Sequence, residues 1–138
     1  MNLDQFEQSE TAIRANIDNN ITDGALLLNA LTFLRDIVDP LEKLFGAENI
    51  VFHSGYRCKE LNTAVGGNPK SQHMLASALD FHIKDMGHRT AVEKIIESKL
   101  VFDQLLLEGN LKAGRGWIHI SLNPKGKQRQ QFIRIENP

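Results

Sequence analysis

The chain has 138 residues, of which 16 are Lys or Arg and 17 are Asp or Glu, giving a formal charge of −1. This length fits one domain over residues 1–138 with one core. The balanced charge gives no general attraction to nucleic acid or to an anionic membrane, so we expect neither as a partner. The lone Cys58 excludes an intramolecular disulfide.

Residues 1–46 are predicted to be mostly helical. Leu3, Phe6, Ile13 and Ile17 follow a weak helical spacing. Residues 23–45 carry a stronger one and predict the main core helix, with Asp23 as N-cap and Gly46 as its end. Pro40 predicts a kink or a fresh helical start. The stripe expected to be buried is Leu27, Leu31, Leu34, Val38, Leu41 and Phe45.

The remainder of the chain alternates between strand and helix signals. Short helices are predicted over residues 59–65 and 88–99. Strands are predicted over residues 49–54, 79–83, 103–108, 116–122 and 132–135, the last within a C-terminal tail at 123–138. This order predicts an α+β domain with helices packed on one face of a small antiparallel sheet.

Two histidines and one aspartate form a pattern that suits a catalytic zinc ion. His73 and Asp80 lie in the segment 71–80, and His119 lies in 117–121. Catalytic zinc commonly takes three ligands from His and Asp or Glu and leaves one position for water. Asp80 and His119 both fall on strands that alternate apolar with polar residues, so each strand turns its polar groups to one face. The pattern predicts a site for one zinc ion.

The other histidines and the cysteine have plainer interpretations. His82 shares a predicted strand face with Asp80, which leaves two readings open: a hydrogen-bond partner of a metal ligand, or a half-exposed structural histidine. His53 and His88 are predicted to be surface or loop residues. Cys58 is expected to be a small, half-buried residue and not a nucleophile.

Several short motifs resemble the zinc D-alanyl-D-alanine carboxypeptidase family, which shares its fold with the signalling domain of Hedgehog proteins. The likeness covers about residues 54–122, and the helical stretch before it is similar to small phage and prophage members. The motifs that carry it are Ser54-Gly55-Tyr56-Arg57, Leu61-Asn62, Val65-Gly66-Gly67, Ser71-Gln72-His73, Ala78-Leu79-Asp80 and Trp117-Ile118-His119-Ile120-Ser121.

The resemblance implies a role for individual residues. It makes the trio His73, Asp80 and His119 the zinc ligands, and it matches Arg57 to an arginine near the scissile amide. Glu108 is the best candidate for the family's general base. The residues expected to touch substrate are Ser71, Tyr56 and Gln72. Ala76 stands where the family usually has glycine, so we expect either negative φ there or modest strain.

The implied function is a zinc-dependent peptidase that acts on peptidoglycan stem peptides, as a D-Ala-D-Ala carboxypeptidase or a related endopeptidase. Two alternatives stay open: a catalytically inactive zinc-binding module that recognises wall peptides or a protein partner, and a structural virion component. The start of the sequence lacks a signal-peptide pattern. We therefore expect synthesis in the cytoplasm, and delivery to the wall as a phage lysis or virion-associated enzyme. The oligomeric state is left open.

Overall fold

The computed structural model describes residues 1–136. They adopt an α+β fold with a five-stranded sheet, which confirms the predicted class. No helix in this described part combines the length and apolar character required to cross a bilayer. The α-helices are α1 (Leu3–Glu7), α2 (Glu10–Ala15), α3 (Gly24–Phe33), α4 (Asp39–Phe45), α5 (Lys59–Ala64) and α6 (His88–Glu97).

The sheet places its two best-patterned strands side by side. Strand order is β1-β2-β4-β3-β5, so β4 is central and lies between β2 and β3. The antiparallel hairpin of β3 and β4 was predicted, and it is confirmed. The strands are β1 (Ile50–Ser54), β2 (Ala78–Ile83), β3 (Gln104–Asn110), β4 (Arg115–Ser121) and β5 (Gln131–Glu136).

Alternation along the strands separates a core face from a polar face. On β2, Leu79, Phe81 and Ile83 are buried, while Asp80 lies between them on the other face. On β4, Ile118 and Ile120 are fully buried, and His119 lies between them on the other face. Two neighbouring strands therefore present their polar side chains to the same surface.

The first part of the long helical segment, α3, buries a different face from the one predicted. Leu27 and Leu31 are 37% and 50% exposed, whereas Phe33 and Ile37 are fully buried. The segment has apolar residues on more than one face, and the packing of Phe6 on Phe33, with ring centroids 5.6 Å apart, selects the second face. The remaining residues of the predicted stripe are buried or half-buried: Leu34, Val38, Leu41 and Phe45.

Pro40 neither breaks the helical path nor starts a separate helix after a gap. A π-helical turn, Leu34–Val38, joins α3 to α4. Asp39 N–H donates to the carbonyl of Leu34, five residues back, and the wider turn accommodates the missing N–H of Pro40. The predicted ends are confirmed, since the side chain of Asp23 caps α3 and Gly46 ends α4 with φ +87°.

The sheet is mixed and not wholly antiparallel, because β5 pairs with β3 in parallel. The carboxylate of Asp103 explains this arrangement. It accepts hydrogen bonds from the backbone N–H and the guanidinium of Arg129, at 2.7–3.2 Å. Because Asp103 immediately precedes β3, the pair brings the start of β5 beside the start of β3, and the two strands then run in the same direction.

Asn19 connects the N-terminal helices to the loop that follows β1. Its side-chain amide donates to the carbonyls of Glu7 and Tyr56 and accepts from the N–H of Cys58, at 2.8–2.9 Å. Tyr56 N–H also donates to the carbonyl of Phe6 at 2.9 Å. These bonds satisfy buried backbone groups and hold in place the loop that carries Arg57.

Candidate metal centre

Three elements bring the predicted trio together. Asp80 on β2 and His119 on β4 are directly opposite each other in the antiparallel pair. His73 lies on a short 3-10 turn, Gln72–Leu75, two residues before β2. Ser71 caps this turn by accepting a hydrogen bond from His73 N–H at 3.2 Å. The pairing of β2 with β4 and the capped turn thus fix the positions of all three side chains.

The ligand atoms of the trio converge at one point. His119 Nδ1 lies 2.8 Å from Asp80 Oδ1, and His73 Nε2 lies 3.2 Å from Asp80 Oδ2. Each residue offers one atom, and these atoms all lie within 4.8 Å of one another. His73 and His119 are only 1% and 9% exposed. The trio can therefore hold a metal ion.

A backbone contact sets the tautomer of His73. Its Nδ1 lies 2.6 Å from the carbonyl oxygen of Gly55, and since a carbonyl can only accept, Nδ1 is the donor. In the neutral ring Nε2 then carries a lone pair. That atom is buried and has no hydrogen-bond partner in the described part of the chain, although the carboxylate of Asp80 is close. A lone pair and a carboxylate this close repel each other unless a cation lies between them. His73 therefore has the arrangement of a metal ligand whose other ring nitrogen is held by a hydrogen bond.

The carboxylate of Asp80 stays ionised. Burial by itself would raise its pKa, but the hydrogen bond from His119 opposes this effect, and the pKa stays below its usual range. A carboxylate must be deprotonated to bind a metal. Asp80 therefore meets this requirement at neutral pH.

Ala76 adopts the strained backbone that its position suggested. Its φ is +54° and its ψ is +38°, in the left-handed region. Its N–H donates to the carbonyls of Gln72 and His73 and closes the turn. For a residue with a Cβ this conformation costs about 1–2 kcal/mol. The side chain is fully buried, so core packing offsets part of this cost.

Glu108 lies on the wall of the same cavity. This cavity, called the main cavity below, has a volume of about 730 Å³ and is also lined by Arg57 and the trio. Glu108 is two residues before the end of β3 and pairs with Trp117, so it is diagonal to His119 on the sheet. Burial raises its pKa, and Asp80 adds to this, more than His119, His73 and Arg57 lower it. A carboxyl group with a raised pKa beside a metal site is suited to proton transfer.

Arg57 reaches the main cavity from the loop after β1. Burial lowers the pKa of its guanidinium, while Asp80 and Glu108 act in the opposite direction. The Nε atom is buried, and no described residue forms a hydrogen bond with it. Gly67 leaves room for this side chain, because a Cβ there would lie 2.9 Å from Arg57 Nη1 and 2.1 Å from Asn62 Oδ1.

The three predicted substrate contacts have different surroundings. Ser71 and Gln72 line the main cavity. The amide of Gln72 donates to Asp103 at 2.9 Å and to the carbonyl of Leu122 at 3.1 Å, so it also has a structural role. Tyr56 does not line this cavity. It is 7% exposed and packs in the hydrophobic core, because the backbone around it is held by Asn19 and Phe6.

Sequence reasoning missed part of this cavity wall. Asp103 and Arg129 line its far end, together with Lys70 and Asn123. Asp103 is 1% exposed and bound to Arg129. The only signal was an acidic residue directly before a predicted strand, and 25 positions separate it from its partner, so no local pattern links the two.

The other three histidines lie together. His53 is exposed, as predicted, and lies in β1, and His88 is half-buried at the start of α6. His53 Nε2 is 2.7 Å from His82 Nδ1, and the rings of His82 and His88 have centroids 6.2 Å apart. The partner of His82 is therefore His53 and not a member of the trio. Cys58 is half-buried and free, as predicted, and its sulfur caps α5 by accepting from Leu61 N–H at 3.4 Å.

The sequence was compared with family models and with curated proteins. The sequence model of the family described as Peptidase M15 matches residues 1–121, which include every residue of the trio, Arg57 and Glu108. No curated protein matches the chain. Since the family model spans most of the 138 residues, the chain belongs to the Peptidase M15 family.

Proposed function

We propose that this chain is a zinc-dependent peptidase that hydrolyses a peptide bond in bacterial peptidoglycan peptides, as a D-Ala-D-Ala carboxypeptidase or a related endopeptidase. The observation that carries the proposal is the convergence of the trio beside Glu108 in one cavity. Membership of a peptidase family supports it. The family resemblance also suggests a phage lysis or virion-associated setting.

The trio would hold one zinc ion. The ligands would be His73 Nε2, a carboxylate oxygen of Asp80 and His119 Nδ1. Two histidines and one carboxylate are a ligand set common in catalytic zinc sites. The hydrogen bond from His73 Nδ1 to Gly55 would orient one ligand. When bound, zinc supplies Lewis acidity that polarises a carbonyl and makes a water more acidic.

Glu108 would act as the general base. It lines the cavity with the trio, and its raised pKa makes its carboxylate a better proton acceptor than an exposed glutamate. It would take a proton from the attacking water and pass it to the leaving amine. The presence of a carboxylate at this position favours an enzyme over a silent zinc-binding module.

Arg57 would bind the negative charge that develops on the scissile carbonyl oxygen, or a carboxylate of the substrate. Its guanidinium is always charged and forms a rigid fork of donors. Its side chain lines the main cavity, so the guanidinium can bind a substrate atom there. Ser71 and Gln72 would contact the peptide along the same wall.

Purified muropeptides provide the test, with mass spectrometry of the products. We expect hydrolysis that is abolished by a chelator and restored by zinc. Loss of a single alanine would identify a carboxypeptidase, and a split into two peptides would identify an endopeptidase. If zinc binds and no peptide is cut, the proposal is wrong and the silent zinc-binding module takes its place.

A further inference from the structure

The histidine content of the chain is divided between two sites. The sequence has five histidines, and two of them belong to the trio. The other three, His53, His82 and His88, line a second cavity of about 470 Å³ and are called the histidine cluster below. Imidazole is a preferred ligand of zinc, copper and nickel, so three imidazoles around one cavity could bind such a metal.

The pairing of β1 with β2 creates the closest contact in this cluster. Phe52 pairs with Phe81 and Ser54 pairs with Asp80, so His53 is an extra residue at a bulge. The bulge places its ring against His82, with Nε2 and Nδ1 2.7 Å apart and ring centroids 4.9 Å apart. Two neutral rings at this distance share one N–H. If the donating ring changes tautomer, so that its proton moves to its other ring nitrogen, both facing nitrogens present lone pairs that a metal ion can bind.

His88 adds a third ring to the cluster. It is the first residue of α6, and its Nδ1 is buried without a hydrogen-bond partner among residues 1–136. Buried polar atoms are normally paired, and an unpaired one points to an unassigned ligand. Burial, followed by the proximity of His82, lowers the pKa of both His53 and His88.

We propose that the histidine cluster is a second metal site, selective for a divalent transition metal that prefers imidazole, such as Zn²⁺ or Ni²⁺. His53 and His82 supply the first two nitrogens, and His88 supplies the third after its ring rotates. Two nitrogens that share a tetrahedral zinc are about 3.3 Å apart, so the 2.7 Å pair must open slightly. The side chain of His53 is exposed and free to adjust.

This site binds metal more weakly than the trio. Among the described residues, the trio is the group whose three ligand atoms already lie within 4.8 Å of one another. The histidine cluster has two nitrogens in place and needs a side-chain rearrangement for the third. Asp80 and Trp117 line both cavities, so the two sites are neighbours. The proposal does not depend on peptidase activity.

Zinc stoichiometry tests the proposal directly. The metal bound per chain is measured by equilibrium dialysis and by native mass spectrometry, for the wild type and for two double variants. We expect the wild type to bind a tight zinc and a second, weaker one. His53→Gln with His82→Gln should retain only the tight zinc, and His73→Gln with His119→Gln should retain only the weak one.

A wild type that binds a single zinc, or a His53→Gln/His82→Gln variant that still binds two, would overturn the proposal. Spectra of the imidazole nitrogens by NMR give a second measurement that needs no variant. With the trio already loaded, further zinc should shift the ring nitrogens of His53 and His82. Unchanged signals would mean that the pair is only hydrogen-bonded.

Discussion

The ring of His73 is fixed by the backbone of Gly55, with Nδ1 2.6 Å from the carbonyl oxygen. Gly55 is closely surrounded, because a Cβ would lie 2.4 Å from the carbonyl oxygen of Phe6. Gly55→Ala should therefore displace this carbonyl and release the ring. We expect zinc affinity to fall by about 10–100-fold and stability to fall by about 1–3 kcal/mol, as measured by zinc competition and by urea unfolding.

Gly24→Ala is the matched control for this substitution. Nothing lies within 4 Å of a Cβ at Gly24, which is the first residue of α3. Alanine there should leave zinc affinity unchanged and should raise helix stability by up to about 1 kcal/mol. Equal losses of affinity in both variants would contradict the role of Gly55.

Glu108→Gln should separate binding from chemistry. The amide keeps the shape of the side chain but cannot accept the proton, so we expect kcat to fall by about 10²–10⁴-fold. Zinc content, measured by atomic emission, should stay at the wild-type level because Glu108 is outside the trio. Full hydrolysis of muropeptides by this variant would identify another residue as the base.

Arg57→Lys should reduce kcat/KM although the positive charge remains. The rigid fork of donors is lost, and loss of a donor to a developing oxyanion costs about 10²–10³-fold. Arg115→Lys is the control, since Arg115 is exposed at the start of β4 and does not line the main cavity. Steady-state kinetics on the same peptide would compare the two, and similar rates in both variants would count against Arg57.

Asp103 should give the protein an acid-sensitive contribution to stability. Its hydrogen bonds with Arg129 outweigh burial and lower its pKa to about 2, from the ordinary value of 3.8 for an aspartate. The folded state thus binds this proton less tightly than the unfolded state, so the contribution is present above pH 3.8 and is lost as pH falls through about 2. It amounts to about 2 kcal/mol.

Urea unfolding of Asp103→Asn tests this contribution. The variant should be less stable than the wild type by a constant amount at neutral pH, and the difference should shrink below pH 3.8. Asp36→Asn is the control, because Asp36 forms an ion pair with Arg35 of the same 2.7 Å length, but its side chain is 45% exposed. An exposed pair contributes little. Equal effects of the two substitutions would refute the importance of burial.

Two substitutions test which helix face is buried. Ile37 is fully buried and Leu31 is 50% exposed. Ile37→Ala should cost about 2–5 kcal/mol through the cavity it leaves, and Leu31→Ala should cost less than about 1 kcal/mol. Thermal and urea unfolding would measure both. The opposite ranking would restore the stripe expected from spacing alone.

Much of the site could be predicted from the sequence because the trio lies on strongly patterned segments. Strict alternation placed Asp80 and His119 on the polar faces of two strands, and the structure brings both together with His73. Tyr56 was predicted in the same way to contact substrate, but it lies in the core. A motif position indicates the neighbourhood of a site, but the hydrogen bonds of the Tyr56 backbone with Phe6 and Asn19 hold the loop so that the ring lies in the core.

The sequence by itself determined the elements that depend on local order: the ends of the long helical segment, the faces of β2 and β4, and the identity of the candidate ligands. Tertiary structure alone decided the buried face of α3, the parallel pairing of β5 and the meeting of His53 with His82. The physical reason is that period and capping act over a few residues. Contacts such as Phe6 with Phe33 or Asp103 with Arg129 join distant segments, so they form, and stabilise the protein, only when the chain is folded.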